Sequence, residues 1–136
     1  MKQVILLLIC VLTIFSSCKK DELQIAIIGQ WTWTLETRGN PIYNTTPQNT
    51  GINEVFTFNP NGVYNVSQNN VTVNEGTYKL TTATSTRGSQ VSSVLFSNQR
   101  VKDSVYYYLI INNDSLIFNY DFIGTVGSIS RHYIKK

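Results

Sequence analysis

Histidine, cysteine and charged residues are all scarce in this chain. His132 is the one histidine, and Cys10 and Cys18 are the two cysteines. Because both cysteines lie close to the N-terminus, residues 19–136 have no thiol for a disulfide, a zinc site or a nucleophile. A lone histidine near the end of a terminal strand is typical of a surface or structural residue rather than a general base. The globular part must therefore fold on its hydrophobic core alone.

The carboxylates are few and dispersed along the chain. The sequence has eight Asp and Glu residues, spread from Asp21 to Asp121. Their positions in the sequence do not identify a general acid and a general base, although folding can still bring two of them together. Residues 124–127 lack the lysine and hydroxyl residue of a phosphate loop. We therefore predict a protein without catalysis, cofactor or metal.

The balance of charge is also weak. Eleven basic residues against eight acidic ones give a formal net charge of +3. The basic residues do not form the dense patch that nucleic-acid binding requires, so nucleic acid is not an expected partner. The length of the chain suits one domain with a sizeable core and leaves no room for two.

The first residues form the clearest motif of the sequence. Lys2 precedes an apolar run from Val4 to Phe15, which is typical of a secretory signal segment and is too short for a lasting transmembrane helix. Two serines and Cys18 follow, and together with the preceding apolar residues they resemble the lipobox of bacterial lipoproteins. The resemblance implies that residues 1–17 are a signal peptide and that Cys18 carries lipid. The alternative is an ordinary cleaved signal in which Cys18 is incidental.

This resemblance also implies a location. A Gram-negative lipoprotein of this kind is expected at the outer membrane, anchored by the lipid on Cys18, on the periplasmic or the surface-exposed face. Residues 18–27 then form the lipidated N-terminus and tether, and residues 28–136 form the domain. Residues 19–22, Lys-Lys-Asp-Glu, resemble the basic-then-acidic motif of some surface lipoproteins, and a solvated linker is the alternative.

From Trp31 onward the hydrophobic pattern has the period of β-strands. Apart from a short helical turn predicted over residues 23–28, helical periodicity is absent. The alternation of Trp31, Trp33 and Leu35 places Glu36 on the solvent face. Further strands are predicted to begin near Glu54, Tyr64, Val71, Val91, Val105, Leu116 and Ser128. About eight strands joined mostly by short turns predict an all-β fold, an antiparallel up-and-down barrel.

Two connections and one strand break the regular pattern. In the strand that starts at Val71, the apolar residues change from odd to even positions, which predicts a β-bulge at Gly76. The connections over residues 39–53 and 82–90 are long and polar, as functional loops often are.

The start of the first strand carries a family resemblance. Gly29-Gln-Trp31 resembles the Gly-x-Trp signature of lipocalins. The spacing to Val55–Tyr64 and to Gly76-Thr-Tyr78 is similar to that of small bacterial lipocalin-like domain lipoproteins. The resemblance implies a lipocalin-like barrel in which Arg131, from the last strand, covers the ring of Trp31.

The same resemblance implies a ligand inside the barrel. A small hydrophobic or amphipathic compound would be bound there by apolar burial. A dry core built from the same side chains is the alternative. The predicted ligand contacts are Trp33, Phe56, Phe58, Tyr64, Phe118 and Tyr120.

Residues 105–111 are apolar on both faces of their predicted strand. An outward face that carries Tyr106 and Tyr108 indicates either a covering segment or contact with a protein partner. This observation supports a second hypothesis: a ligand-free β-domain that acts as an accessory or interaction subunit of a cell-envelope complex.

Overall fold

A computed structural model describes residues 22–39, 41–85, 88–98, 101–121 and 128–136, and for residues 101–107 and 121 it describes the backbone alone. The predicted signal peptide, the lipid site at Cys18 and the side chain of Tyr106 lie outside this description. Within the described ranges, no helix has the length and apolar character needed to cross a membrane.

Most of the described chain forms strands. A short helix, α1, spans residues 22–27, as the sequence predicts. A second short helix, α2 (Pro47–Thr50), and a three-residue strand lie in the long polar connection over residues 39–53. The strands are β1 (Gly29–Arg38), β2 (Tyr43–Thr45), β3 (Glu54–Phe58), β4 (Val63–Gln68), β5 (Val71–Thr84), β6 (Gln90–Asn98), β7 (Val101–Asn112), β8 (Ser115–Asp121) and β9 (Ser128–Lys135).

Eight of these strands close into an antiparallel barrel. Strands β3 to β9 neighbour one another in chain order, and β1 pairs with both β3 and β9. The closing pair runs from Trp31 opposite Lys135 to Arg38 opposite Ile129. Strand β2 pairs with the end of β1 that lies beyond β3. The predicted all-β up-and-down barrel is confirmed, and closure pairs both edges of the sheet.

One end of the barrel, which we call the α1 end, is where β1 begins and where helix α1 lies. Ile27 of this helix is fully buried, and Leu23 packs against the same core. The tight turn between β3 and β4 contains Gly62, whose φ of 78° lies in the left-handed region that favours glycine. The backbone N–H of Tyr78 donates to the carbonyl of Gly62 at 2.7 Å, which ties this turn to β5.

The barrel interior is packed with aromatic rings. The ring centroid of Phe56 lies 4.5 Å from that of Phe58 and 5.4 Å from those of Tyr64 and Phe96. The ring of Phe118 lies 5.6 Å away, in a tilted arrangement. Stacked and tilted pairs of this kind each add about 0.5–1.5 kcal/mol beyond the burial of their area. These rings form the centre of the hydrophobic core.

Two irregularities decide which side chains enter the barrel. In β1, Trp33 pairs with Tyr133 and Leu35 pairs with His132, so that Thr34 is an extra residue. This β-bulge turns Glu36 inward, where it is only 3% exposed. The prediction that Glu36 faces solvent was therefore wrong, because strict alternation does not pass through a bulge.

The second irregularity lies in β5, away from the predicted position. The register to β4 skips Val73, because Val66 pairs with Asn74 and Ser67 with Thr72. The prediction of a bulge at Gly76 was wrong, and this glycine has another role. A Cβ atom there would overlap the carbonyl oxygen of Ser97 and would lie 3.1 Å from the ring of Tyr64. Gly76 thus permits a close approach of β5 and β6.

Candidate functional site

The six predicted ligand contacts all belong to the aromatic lining of the barrel. Five of them are buried, whereas Tyr120 is half-buried on the same face of β8 as Phe118. Because Phe56, Phe58, Tyr64 and Phe118 pack against one another, these four contribute directly to the core. Contact of any of the six with a ligand stays a prediction.

At the α1 end, Trp31 joins the helix to the barrel. Its ring is fully buried, and its Nε1–H donates to the carbonyl of Ile27 at 2.7 Å. Gly29 opens the strand with a φ of 128°, and a Cβ there would lie 3.3 Å from Cε of Lys135. The glycine therefore adopts a positive φ and leaves room for the side chain of Lys135.

The cation over Trp31 differs from the one that the family resemblance implies. Nζ of Lys135 lies 5.2 Å from the centroid of the Trp31 ring. Arg131 lies instead over Trp33, with its guanidinium carbon 5.6 Å from that ring. The prediction that Arg131 covers Trp31 was wrong, because the register of β9 brings Lys135 opposite Trp31. Arg131 acts at the other end of the barrel.

Two buried carboxylates lie at that opposite end, which we call the polar end. Glu36 and Glu54 are 3% and 2% exposed. The guanidinium of Arg131 lies between them, with Nε 2.5 Å from Oε2 of Glu36 and Nη1 3.2 Å from Oε1 of Glu54. One arginine from the last strand thus links carboxylates from the first and third strands.

Further donors complete this arrangement. Nε of Arg38, whose side chain is 58% exposed, contacts Oε1 of Glu36. The Tyr133 hydroxyl donates to Oε1 of Glu54 at 2.8 Å, and Nε2 of Gln68 donates to Oε2 at 2.8 Å. Each carboxylate oxygen therefore contacts a guanidinium group or accepts a hydrogen bond. We call the whole set the polar cluster: Glu36, Arg38, Glu54, Gln68, Arg131 and Tyr133.

The polar cluster is electrically balanced. Its two carboxylates and two guanidinium groups carry formal charges that cancel. Removing a carboxylate from water costs several kcal/mol unless a counter-charge and hydrogen bonds replace the water. The pairing of both Glu36 and Glu54 with Arg131 explains how the interior tolerates them. These ion pairs also connect the first, third and last strands of the sheet.

Trp33 lies beside the polar cluster and is 4% exposed. Within the described part of the chain its buried Nε1–H has no hydrogen-bond partner. A buried donor that gives up water and gains no acceptor costs about 1–3 kcal/mol. Buried polar groups without partners are rare in folded proteins, so this one calls for an explanation.

Sequence reasoning missed most of the polar cluster. One signal was present, since Glu54 shares its parity with Phe56 and Phe58, which predicts that it faces inward. No comparable signal marks Glu36, because its direction depends on the bulge at Thr34. Arg131 has the same parity as the inward-facing Tyr133, and its ion pairs with buried carboxylates agree with an inward direction.

The outer surface also has cavities. One of about 410 Å³ lies over β4 to β6 and is lined by residues such as Glu75, Thr77 and Ser97. Another, of about 490 Å³, lies between α1 and the barrel beside Leu23 and Ile111. None of the predicted ligand contacts lines either of these two cavities. Among the described residues, no group of three or more His, Cys, Asp or Glu side chains is arranged to hold a metal ion.

Comparisons with known proteins add no relatives. No protein-family model, no curated protein and no solved structure matches the chain. The candidate site is therefore defined by its own geometry: a polar cluster inside one end of a barrel whose other end is covered by a helix.

Proposed function

We propose that the chain is an outer-membrane lipoprotein, anchored through lipid on Cys18, whose lipocalin-like barrel binds a small amphipathic ligand without catalysis. The ligand would bind at the polar end, with its polar group beside Trp33 and Arg131. Its apolar part would lie against the aromatic lining, including the half-buried Tyr120. The observation that carries this proposal is that one end of the barrel is covered by helix α1, whereas the other contains buried charged side chains.

The two ends differ in chemistry. At the α1 end, helix α1 buries Ile27 against the core, and Trp31 is hydrogen-bonded to that residue. At the polar end, Arg131 pairs with buried carboxylates and lies over the ring of Trp33, whose indole N–H has no partner among the described residues. Ligand sites combine apolar walls with a few placed polar groups, and a barrel with one covered end offers the other end for entry.

Several features support the lipocalin-like part of the proposal. The barrel has eight antiparallel strands in up-and-down order, and a helix precedes the first strand. Gly29 and Trp31 stand at the start of that strand, and a cation from the last strand lies over the Trp31 ring. That cation is Lys135, whereas lipocalins use arginine, so the likeness concerns the arrangement rather than the residue.

The lipid anchor is tested by changing its cysteine. The C18A variant is expected to be absent from the outer-membrane fraction, in which the wild-type protein is expected. C10A is the matched control, because it removes a cysteine from the apolar run and leaves the lipid site intact. Membrane association of C18A equal to that of the wild type would contradict the lipoprotein assignment.

Ligand binding is tested by native mass spectrometry. The full-length C18A protein, purified without detergent, is incubated with a lipid extract and its mass is compared with that of the untreated protein. A discrete added mass is expected, and it should be lost in Y120A, which alters the half-buried part of the lining. Y43A is the control, since Tyr43 is 70% exposed and lies outside the barrel. An unchanged mass in every extract would contradict the binding proposal.

The second candidate function is a ligand-free accessory or interaction subunit. The close packing of Phe56 with its neighbouring rings favours it, because a filled interior leaves less room for a ligand. The contact surface would include Tyr106 and Tyr108, of which Tyr108 is half-buried. A photo-crosslinker placed at position 108 in cells would capture a discrete partner under this alternative, together with an unchanged mass in the extract experiment.

A further inference from the structure

Two tryptophans on one strand have opposite hydrogen-bonding states. Trp31 and Trp33 are two residues apart on β1 and are both buried. The Trp31 Nε1–H donates to the carbonyl of Ile27 at 2.7 Å, whereas the Trp33 Nε1–H has no partner in the described residues. The two indoles have the same chemistry, so the difference comes from their surroundings. At the α1 end the indole N–H has an acceptor, whereas at the polar end the described residues provide none for it.

The carboxylates beside Trp33 are already occupied. Arg131 and Arg38 contact Glu36, while Arg131, Tyr133 and Gln68 contact Glu54. A cationic ligand group would therefore add an uncompensated positive charge to a cluster whose formal charges already cancel.

A negatively charged ligand group is disfavoured for a different reason. It would enter beside two carboxylates that are almost fully buried, where repulsion is poorly screened. The guanidinium of Arg131, which lies over the Trp33 ring, is shared between those carboxylates. The existing charges cancel, so any charged newcomer leaves an unbalanced charge in the barrel.

An uncharged hydrogen-bond acceptor suits this site, because it can accept from the Trp33 Nε1–H without adding a charge. A carbonyl oxygen accepts hydrogen bonds and brings no donor that needs a partner of its own, unlike a hydroxyl group. We propose that the ligand bound at the polar end presents an uncharged carbonyl oxygen, from an ester, amide or ketone, to Nε1 of Trp33. This inference rests on the proposed ligand-binding function and names its ligand class.

The test follows the two indole N–H groups separately. The full-length C18A protein, labelled with ¹⁵N, gives one indole cross-peak for each of its two tryptophans. Three probes of equal chain length are added in turn: methyl dodecanoate, dodecanoate and dodecylammonium. With the ester, the Trp33 indole proton is expected to move downfield, while that of Trp31 stays in place because its bond to Ile27 persists. W31F and W33F assign the peaks.

Affinity gives a second readout. One hydrogen bond gained without a buried charge predicts that the ester binds about fivefold to tenfold more tightly than either charged probe. In W33F the ester should lose this advantage, whereas its apolar contribution to binding remains. The preference for the ester in the wild-type protein can be measured even when W33F does not fold.

The outcomes separate this inference from the proposed function. If a charged probe binds most tightly, or if the ester binds and the Trp33 peak does not move, the carbonyl inference is wrong and ligand binding stands. If none of the three probes binds, both proposals fail.

Discussion

Glu36 and Arg131 face each other inside the barrel, with Arg131 Nε 2.5 Å from Glu36 Oε2, although Glu36 lies on a strand whose sequence alternation would expose it. The pairing depends on the extra residue Thr34, which shifts the register between β1 and β9. A bulge re-aims every side chain that follows it. A single local irregularity thus moves a charge from solvent to the interior, and the last strand supplies the counter-charge.

Loss of Arg131 should be more damaging than loss of Arg38. R131M leaves Glu36 and Glu54 buried with less compensation, and removal of one partner of such a pair costs about 3–5 kcal/mol. We expect about 3 kcal/mol, because the Arg131 side chain is 32% exposed and water can replace part of it. R38M should cost less than about 1 kcal/mol, since Arg38 is largely exposed. Urea unfolding followed by tryptophan fluorescence measures both.

A variant without the buried carboxylate charges provides the control for this prediction. Adding E36Q and E54Q to R131M removes the uncompensated charges and should recover a large part of the lost free energy of unfolding. If the triple variant is no more stable than R131M, Arg131 stabilises the barrel through packing on Trp33 rather than through the two carboxylates.

Helix α1 offers a matched pair of substitutions. Ile27 is fully buried and Ile25 is 71% exposed, although both lie in the same short helix. I27A removes buried methyl groups under the barrel and should lower the free energy of unfolding by about 2–4 kcal/mol. I25A should change it by less than about 0.5 kcal/mol. Equal effects of the two substitutions would mean that α1 does not close this end of the barrel in solution.

Gly76 should tolerate no side chain, for reasons of space. G76A would force a Cβ against the carbonyl of Ser97 and the ring of Tyr64, and overpacking of this kind costs about 1–3 kcal/mol. G51A is the control, because a Cβ at Gly51 meets open space and the cost of its φ of 69° is about 1–2 kcal/mol. We expect the destabilisation by G76A to lie at the upper end of this range. Thermal unfolding of both variants measures the effect, and a smaller decrease in Tm for G76A than for G51A would refute the close approach of β5 and β6.

The fold could be predicted from the sequence because period-two alternation survives in most strands. Trp31, Phe56, Phe58 and Phe118 all point inward as their parity indicates. The site could not be predicted to the same extent, because it depends on register. Whether Lys135 or Arg131 reaches Trp31 is decided by the residue pairing of β9 with β1, and composition and spacing do not specify that pairing.

The positions of the β-bulges also could not be predicted from the sequence. Glycine is the residue in which a bulge is usually sought, and Gly76 drew the prediction in β5. The extra residues are instead Thr34 and Val73, which have ordinary strand propensity. The inward direction of Glu36 follows from the bulge at Thr34, so its place in the carboxylate pair could not be predicted from the sequence. The other member, Glu54, could have been found from parity alone.

The final prediction concerns Tyr78, which links three parts of the α1 end. Its hydroxyl donates to the carbonyl of Asn59 at 2.8 Å and accepts from Nε2 of Gln24 at 3.5 Å. Burial raises the pKa of Tyr78 above the ordinary value of 10.0, because the phenolate would lose its hydration. Below about pH 10 the phenol is neutral in both the folded and unfolded chains, so its contribution to stability is constant there. Above that pH the unfolded chain releases the proton first, and the free energy of unfolding falls until the folded pKa is passed.

Y78F separates this titration from the hydrogen bond. At neutral pH the variant should lose about 1 kcal/mol, because the Asn59 carbonyl loses its donor. Between pH 9 and about pH 11 its stability should fall less steeply than that of the wild type, since no buried phenol remains to ionise at this position. Urea midpoints measured at intervals across this range give both slopes. Parallel slopes for the two proteins would show that Tyr78 ionises equally well in the folded and unfolded chains, which would contradict its burial beneath α1.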